Sequence, residues 1–169
     1  YISESKTRIH AYDLNNGVQK TSCMECPSYY FAGNRIILLA CNQLAVGDWG
    51  SKQIIIYSLT GDVFRRVPCP PMLTMTTVVC MSSCGDFSVV MSDYGARKVV
   101  RMSMKDGSLL WNSDRVTEPG GIVHHPAGYV LVVSSHTKQT TISVLDEKDG
   151  NVDDFKFIAH KHTSSLAPT

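Results

Sequence analysis

The chain is a succession of short apolar runs broken by polar, glycine-bearing turns. Ile36 to Ala40, Leu44 to Val46, Ile54 to Leu59 and Val63 to Val67 form one series. Thr76 to Met81, Phe87 to Met91, Val99 to Met104 and Ser108 to Trp111 form the next. Pro119 to Val123, Tyr129 to Val133, Ile142 to Leu145 and Val152 to Phe157 form a third. Short runs rich in Val, Ile and aromatic residues, bounded by Gly, Asn, Asp or Pro, predict β-strands. No apolar pattern at helical spacing survives for ten residues, so helices are not expected. Pro68-Cys69-Pro70-Pro71 stops any strand, because proline cannot donate to a ladder.

The series repeat. Val46 to Val67 reads VGDWGSKQIIIYSLTGDVFRRV, and Met91 to Trp111 reads MSDYGARKVVRMSMKDGSLLW. Asp48 precedes Ile54 by six residues and Asp93 precedes Val99 by six. Trp49 matches Tyr94, Gly50 matches Gly95, and Gly61 matches Gly107 after one inserted residue. Tyr1 to Ile9 aligns with Val46 to Ile54, so the chain opens halfway through a unit that Val18 to Thr21 would close. A loop from Ser22 to Arg35 follows. In the last unit Ser135 replaces the Asp and His136 the aromatic. Turn glycines at 17, 61, 107 and 150 are spaced by 44, 46 and 43 residues. That period, with four short strands per unit, is the mark of a β-propeller blade.

The predicted fold is therefore all-β: three whole four-stranded blades plus a partial one over residues 1–157, then a disordered tail over 158–169. Closed propellers have about 4–8 blades. The chain thus reads as a fragment, whose missing blades come from the rest of a parent chain or from another copy.

Composition narrows the function classes. An apolar fraction of 43% and a charged fraction of 18% belong to a soluble globular protein. The net charge of +1 argues neither for nor against nucleic acid. No apolar run approaches the ~20 residues of a membrane span, and Tyr1-Ile2-Ser3-Glu4 lacks the features of a secretory signal. Of the six cysteines, Cys23 and Cys26 form C-x-x-C and Cys80 and Cys84 form C-x-x-x-C. The pairs are 54 residues apart, so spacing gives no zinc site, and reduced thiols in a cytoplasmic protein are the expectation.

The unit P-x-G-I…G-x-x-x-V-x-D-x-x-x-x-x-I-x-x-Y-x-x-x-G resembles the NHL repeat. Glu118-Pro119-Gly120-Gly121-Ile122 through Gly128-Tyr129-Val130-Leu131-Val132 resembles its opening half. Val46-Gly47-Asp48 through Ile54-Ile55-Ile56-Tyr57 to Gly61 resembles its closing half. The resemblance implies a six-bladed propeller of the kind found in tripartite-motif proteins. In those, a RING domain carries ubiquitin ligase activity and the propeller recognises a protein partner or RNA. Ser135 departs from the pattern, as does Arg35 to Asn42, which lacks P-x-G-I. No RING, B-box or coiled-coil heptad lies in these residues, so ligase activity is implied for a longer parent alone.

Few residues carry candidate chemistry. Asp48 and Asp93 most simply accept backbone N–H bonds within their own hairpins. The same hairpins bear bases: Lys6 and Arg8, Lys52, Arg97 and Lys98, and Lys138. Equivalent loops of successive blades lie on one face, so these bases are expected to share a surface with Trp49, Tyr94 and His136. The partner-binding residues expected are Trp49, Lys52, Tyr94, Arg97, Lys98, His136 and Lys138, as aromatic and basic anchors. The ordinary alternative is solvated hairpin tips with aromatics packed between blades. His124 and His125 alternate in direction along a strand, and with His160 and His162 they read as solvated side chains rather than metal ligands. Trp111 is expected to pack between blades. No G-x-S-x-G, P-loop or dinucleotide fingerprint occurs. The leading function is a non-catalytic interaction module for a protein partner, without cofactor or metal. Single-stranded RNA binding by the same face and a fragment of a metal-dependent propeller hydrolase or lyase are the alternatives.

Overall fold

The structure, a computed structural model, describes residues 2–5, 8–11, 24–25, 36–39, 42–48, 50–74, 78–136 and 139–159. Side chains are described within 36–74, 80–134 and 140–152. Among the described residues there is no helix, and so none long and apolar enough to cross a membrane.

Among the described residues, fifteen strands form four antiparallel sheets, one after another along the chain. The first has three strands, β1 (Ile2–Ser5), β2 (Arg8–Ala11) and β3 (Met24–Glu25). The second comprises β4 (Ile36–Leu38), β5 (Gln43–Asp48), β6 (Gln53–Ser58) and β7 (Val63–Pro68). The third comprises β8 (Val78–Cys84), β9 (Ser88–Asp93), β10 (Lys98–Ser103) and β11 (Leu109–Ser113). The fourth comprises β12 (Pro119–His125), β13 (Tyr129–His136), β14 (Gln139–Asp146) and β15 (Val152–Ala159). Each four-stranded sheet runs in chain order from first strand to last. The first strands β4, β8 and β12 adjoin one another, so each sheet is a blade set around that inner edge.

The strands expected between Ile36 and Phe157 are present, with ends shifted by a few residues, whereas Val18 to Thr21, expected to close the first unit, lies outside the described residues and β3 falls in a stretch expected to be loop. β15 runs to Ala159, two residues into the stretch assigned to the tail; residues 160–169 lie outside the description. Asp48 and Asp93 end the second strand of their blades. A register shift recurs between third and fourth strands of every whole blade: at Ile56/Tyr57, Arg101/Met102 and Ile142/Val144. Such bulges sharpen the local twist of the outer strand.

Burial differs between blades. In the third, every residue of β9 is buried and both faces are covered. One face meets the second blade through Met81, Val89, Met91, Val100 and Met102 against Ala45, Ile54, Ile56 and Val67. The other meets the fourth blade through Cys84, Val90, Val99 and Trp111 against Ile122, Val130, Val132 and Leu145. Trp111 thus packs between blades, as expected. The far face of the fourth blade is more open: Leu131, Val133, Ile142 and Val144 are half-buried and Val123 is exposed.

The repeating turn glycines have a second role. Gly61, Gly107 and Gly150 all have positive φ, the backbone region that disfavours a Cβ. A Cβ on Gly107 would also come within 3.1 Å of Pro68 O and 3.2 Å of Val67 Cγ1, on the outer strand of the preceding blade. A Cβ on Gly150 would come within 2.5 Å of Trp111 Cε3. Gly107 and Gly150 are where one blade's outer turn touches the previous blade.

Candidate functional site

Two clusters of polar residues stand out, at opposite ends of the sheets. The first is the hairpin between second and third strands. Asp48 and Asp93 are buried at its base. Asp93 Oδ1 accepts from Ala96 N at 3.0 Å, and Oδ2 accepts from Thr74 N at 2.7 Å; the Thr74 hydroxyl also donates to the carboxylate. Asp93 therefore ties its own hairpin to the connection arriving from the second blade. Asp48 Oδ1 accepts from Ser51 N at 3.4 Å, and its Oδ2 takes the Ser51 hydroxyl. The Lys52 carbonyl accepts from Cys69 N at 3.0 Å, which fixes this hairpin to its outgoing connection. Both carboxylates hold backbone, as the sequence suggests. Replacing Asp93 by Asn turns one buried acceptor into a donor facing N–H or O–H donors. We expect a stability loss of about 1–3 kcal/mol, read as a lower urea midpoint at unchanged slope.

The hairpin tips point outward. Lys52 and Arg97 are exposed, Tyr94 is 46% exposed, and Lys98 is half-buried. Lys52 and Arg97 occupy equivalent positions four residues after the anchoring Asp, with φ of 53° and 51°. Trp49 and Lys138 lie outside the described residues, as does Lys6. His136 ends β13, and Arg8 starts β2; nothing is described of their side chains. The structure thus places Tyr94 and Arg97 on one hairpin and Lys52 on its counterpart in the neighbouring blade.

The second cluster, at the other end, was not foreseen. Arg101 lies inside β10 with its side chain 8% exposed. Its Nε donates to Ser88 Oγ at 2.9 Å. Its Nη2 contacts Asp86 Oδ2 at 2.9 Å and Glu147 Oε1 at 2.8 Å, and its Nη1 donates to the Glu147 carbonyl. That carbonyl also accepts from Trp111 Nε1 at 2.7 Å. Burial alone would raise the Asp86 carboxyl, but the Ser88 hydroxyl and the Arg101 guanidinium outweigh it and hold it below the usual value. Beside this hub, Cys84 Sγ, a His124 ring nitrogen and a Glu147 carboxylate oxygen lie within 4.8 Å of one another. His124 Nε2 is 2.9 Å from Glu147 Oε2, but the two are not aligned as a hydrogen bond, and Nε2 is cut off from solvent.

His124 is therefore not the solvated side chain expected: at 12% exposure it turns inward onto Glu147, because strand alternation sends it opposite to the exposed Val123 and His125. His125 is exposed, and its Nδ1 accepts from Ala127 N at 3.2 Å. Cys69, Cys80 and Cys84 are free thiols among the described residues. Burial pushes the Cys84 thiol up to about 11, against weaker opposite pulls from Ser88 and Arg101, and pushes Cys69 to about 12. Protonated thiols of this kind are poor nucleophiles at neutral pH.

No family model matches the chain, and no curated protein does. Solved structures do. A streptogramin B lyase superposes with a TM-score of 0.68 at 15% identity, over 92% of this chain and 49% of the other. The Pan2 WD40 domain of Neurospora crassa gives 0.68 at 10% identity, over 90% and 44%. Sqt1 of Saccharomyces cerevisiae gives 0.62 at 9% identity, over 92% and 43%. With four-stranded antiparallel sheets in sequence around a shared inner edge, these likenesses decide the architecture. The fold is a β-propeller segment. The chain spans about half the length of the propellers it matches.

Proposed function

We propose that this propeller segment is a non-catalytic interaction module that recognises a protein partner through the hairpin face bearing Lys52, Tyr94, Arg97 and Lys98. The observation that carries this reading is the backbone of Lys52 and Arg97, both left-handed at equivalent hairpin positions. Outside glycine and asparagine that conformation costs about 1 kcal/mol or more. Glycine at either position would relieve the cost, yet a base stands at both. Asp48 and Asp93 hold the tips rigid from below, which suits side chains used as anchors. Exposed Tyr and Arg are residue types that dominate interface energetics. With Asp48 and Asp93 engaged in hairpin bonds, the carboxylates behind this face favour binding over catalysis.

In its finer form the module is the substrate-recognition part of a cytoplasmic tripartite-motif ubiquitin ligase, with the catalytic domain elsewhere in the parent chain. The NHL-like segments around Pro119 to Val132 and Val46 to Gly61 support that form, and the free thiols agree with a reducing compartment.

A triple variant, Lys52→Gly, Tyr94→Ala, Arg97→Gly, tests the reading. It is expected to keep or raise the melting temperature while losing a protein that the wild-type chain captures from cell extract. Capture should survive nuclease and moderate salt. Nuclease-sensitive binding that weakens steeply with salt would instead assign the face to single-stranded RNA. Equal capture by both chains would remove this face from recognition altogether.

A further inference from the structure

We propose that Cys84, His124 and Glu147 form a zinc site that clamps the third blade to the fourth. Cys84 closes the first strand of the third blade. His124 lies near the end of the first strand of the fourth blade, and Glu147 follows that blade's third strand. The three therefore meet across an inter-blade boundary, from segments far apart in sequence.

Three observations support a cation there. First, the donor set is one sulfur, one imidazole nitrogen and one carboxylate oxygen, with donor atoms within 4.8 Å of one another. Magnesium and calcium prefer oxygen-only shells, whereas this mixture suits zinc. Tetrahedral zinc, with bonds of about 2.0 Å to N and O and 2.3 Å to S, places N and O about 3.3 Å apart and S and N about 3.5 Å apart. The 2.9 Å separation of His124 Nε2 and Glu147 Oε2 must open by a few tenths of an ångström, and Cys84 Sγ, within 4.8 Å of the other donors, must stand about 3.5 Å from them. Second, that nitrogen is buried and in contact with the carboxylate without a directed hydrogen bond. Buried side-chain nitrogens are normally hydrogen-bonded.

Third, the surroundings are arranged as outer supports of a metal centre are. Arg101 holds Glu147 by Oε1 at 2.8 Å and by its carbonyl, leaving Oε2 turned to His124. Ser82 Oγ accepts from the His124 backbone N–H at 2.9 Å and fixes the strand that carries the ring. Arg101 does not forbid a dication: with Cys84 as thiolate, the formal charges of Cys84, Asp86, Glu147, Arg101 and zinc cancel. Three protein ligands leave a fourth position on the side of Glu147, whose side chain is 23% exposed, where a further ligand would close the tetrahedron.

The test uses the full chain, stripped with chelator and reloaded with zinc or cobalt(II). About one equivalent of zinc per chain should remain after desalting, with a rise in melting temperature. Cobalt(II) should give a thiolate charge-transfer band. Cys84→Ser and Glu147→Gln should each lose the zinc and the temperature shift, and Cys84→Ser the band. Changing Cys23 and Cys26 together to Ser should leave all three intact. If Cys84→Ser does not fold, a chain keeping Cys84 as its sole cysteine must still show the band. The proposal is overturned if the wild-type chain retains no zinc above background. It is equally overturned if the metal follows Cys23 and Cys26, or if the sole-cysteine chain shows no band.

Discussion

Replacing Arg101 by Met is expected to lower the unfolding free energy by about 3 kcal/mol, near the bottom of the range for breaking a buried charged network. The guanidinium is 8% exposed and serves Ser88, Asp86 and Glu147, the last through both carboxylate and carbonyl. Met fills the stem's volume but leaves the Glu147 carboxylate at a blade boundary without its cation. The loss stays at the low end because the Asp86 side chain is 56% exposed and regains water. Arg101→Lys should recover only a minor part, because a single ammonium cannot reach acceptors spread around a planar fork. The check is urea unfolding of the three chains by far-ultraviolet circular dichroism, with equal slopes required before midpoints are compared. A loss below about 1 kcal/mol would mean that solvent already screens the hub.

Gly150→Ala is expected to cost about 3 kcal/mol or more, from a positive φ and overpacking together. The φ is 71°. The added Cβ would stand 2.5 Å from Trp111 Cε3 and 2.8 Å from Cδ2. The ring cannot readily withdraw, since it is buried and its Nε1 donates to Glu147 O at 2.7 Å. The mechanism makes a second demand. In a Trp111→Leu background the same Gly150→Ala change should cost less, leaving only the backbone term, because contacting residues couple. Additive costs in the double variant would place the whole effect in the turn and none in the blade contact. Thermal melts of the four chains decide between these.

The periodicity that announces the propeller is visible without coordinates because one chemistry recurs at one place per blade. Asp48 and Asp93 are legible for that reason: a carboxylate before a four-residue tip has a short-range job, and local sequence shows it. The glycines are half legible. Their spacing marks turns, but the contact of Gly107 with Val67 and Pro68, and of Gly150 with Trp111, crosses blades and leaves no local trace. The Arg101 hub was missed though one signal existed. Arg101 occupies the repeat position held by Ile56 in the preceding blade, so a charge stands where an apolar core residue is expected. Glu147 gave no signal, being one more acid in a polar turn, and the inward course of His124 depends on which strand face the neighbouring blade covers. Of the residues proposed for recognition, Lys52, Tyr94 and Arg97 are exposed at the hairpin tips, as turn position alone suggests, while Trp49 and Lys138 lie outside the described residues.

The unequal covering of the blades gives the molecule a direction. β9 and β10 are enclosed on both sides, whereas β13 and β14 have neighbours firmly on one side and an apolar, half-open flank on the other. In an array where each unit contacts only its neighbours, free energy is distributed like magnetisation along a row of coupled spins. Order is strongest where two couplings meet. Among the described residues the third blade has a neighbour on each face, so the residues at its boundary with the fourth, Arg101 and Trp111 foremost, govern how far a local opening on either side travels.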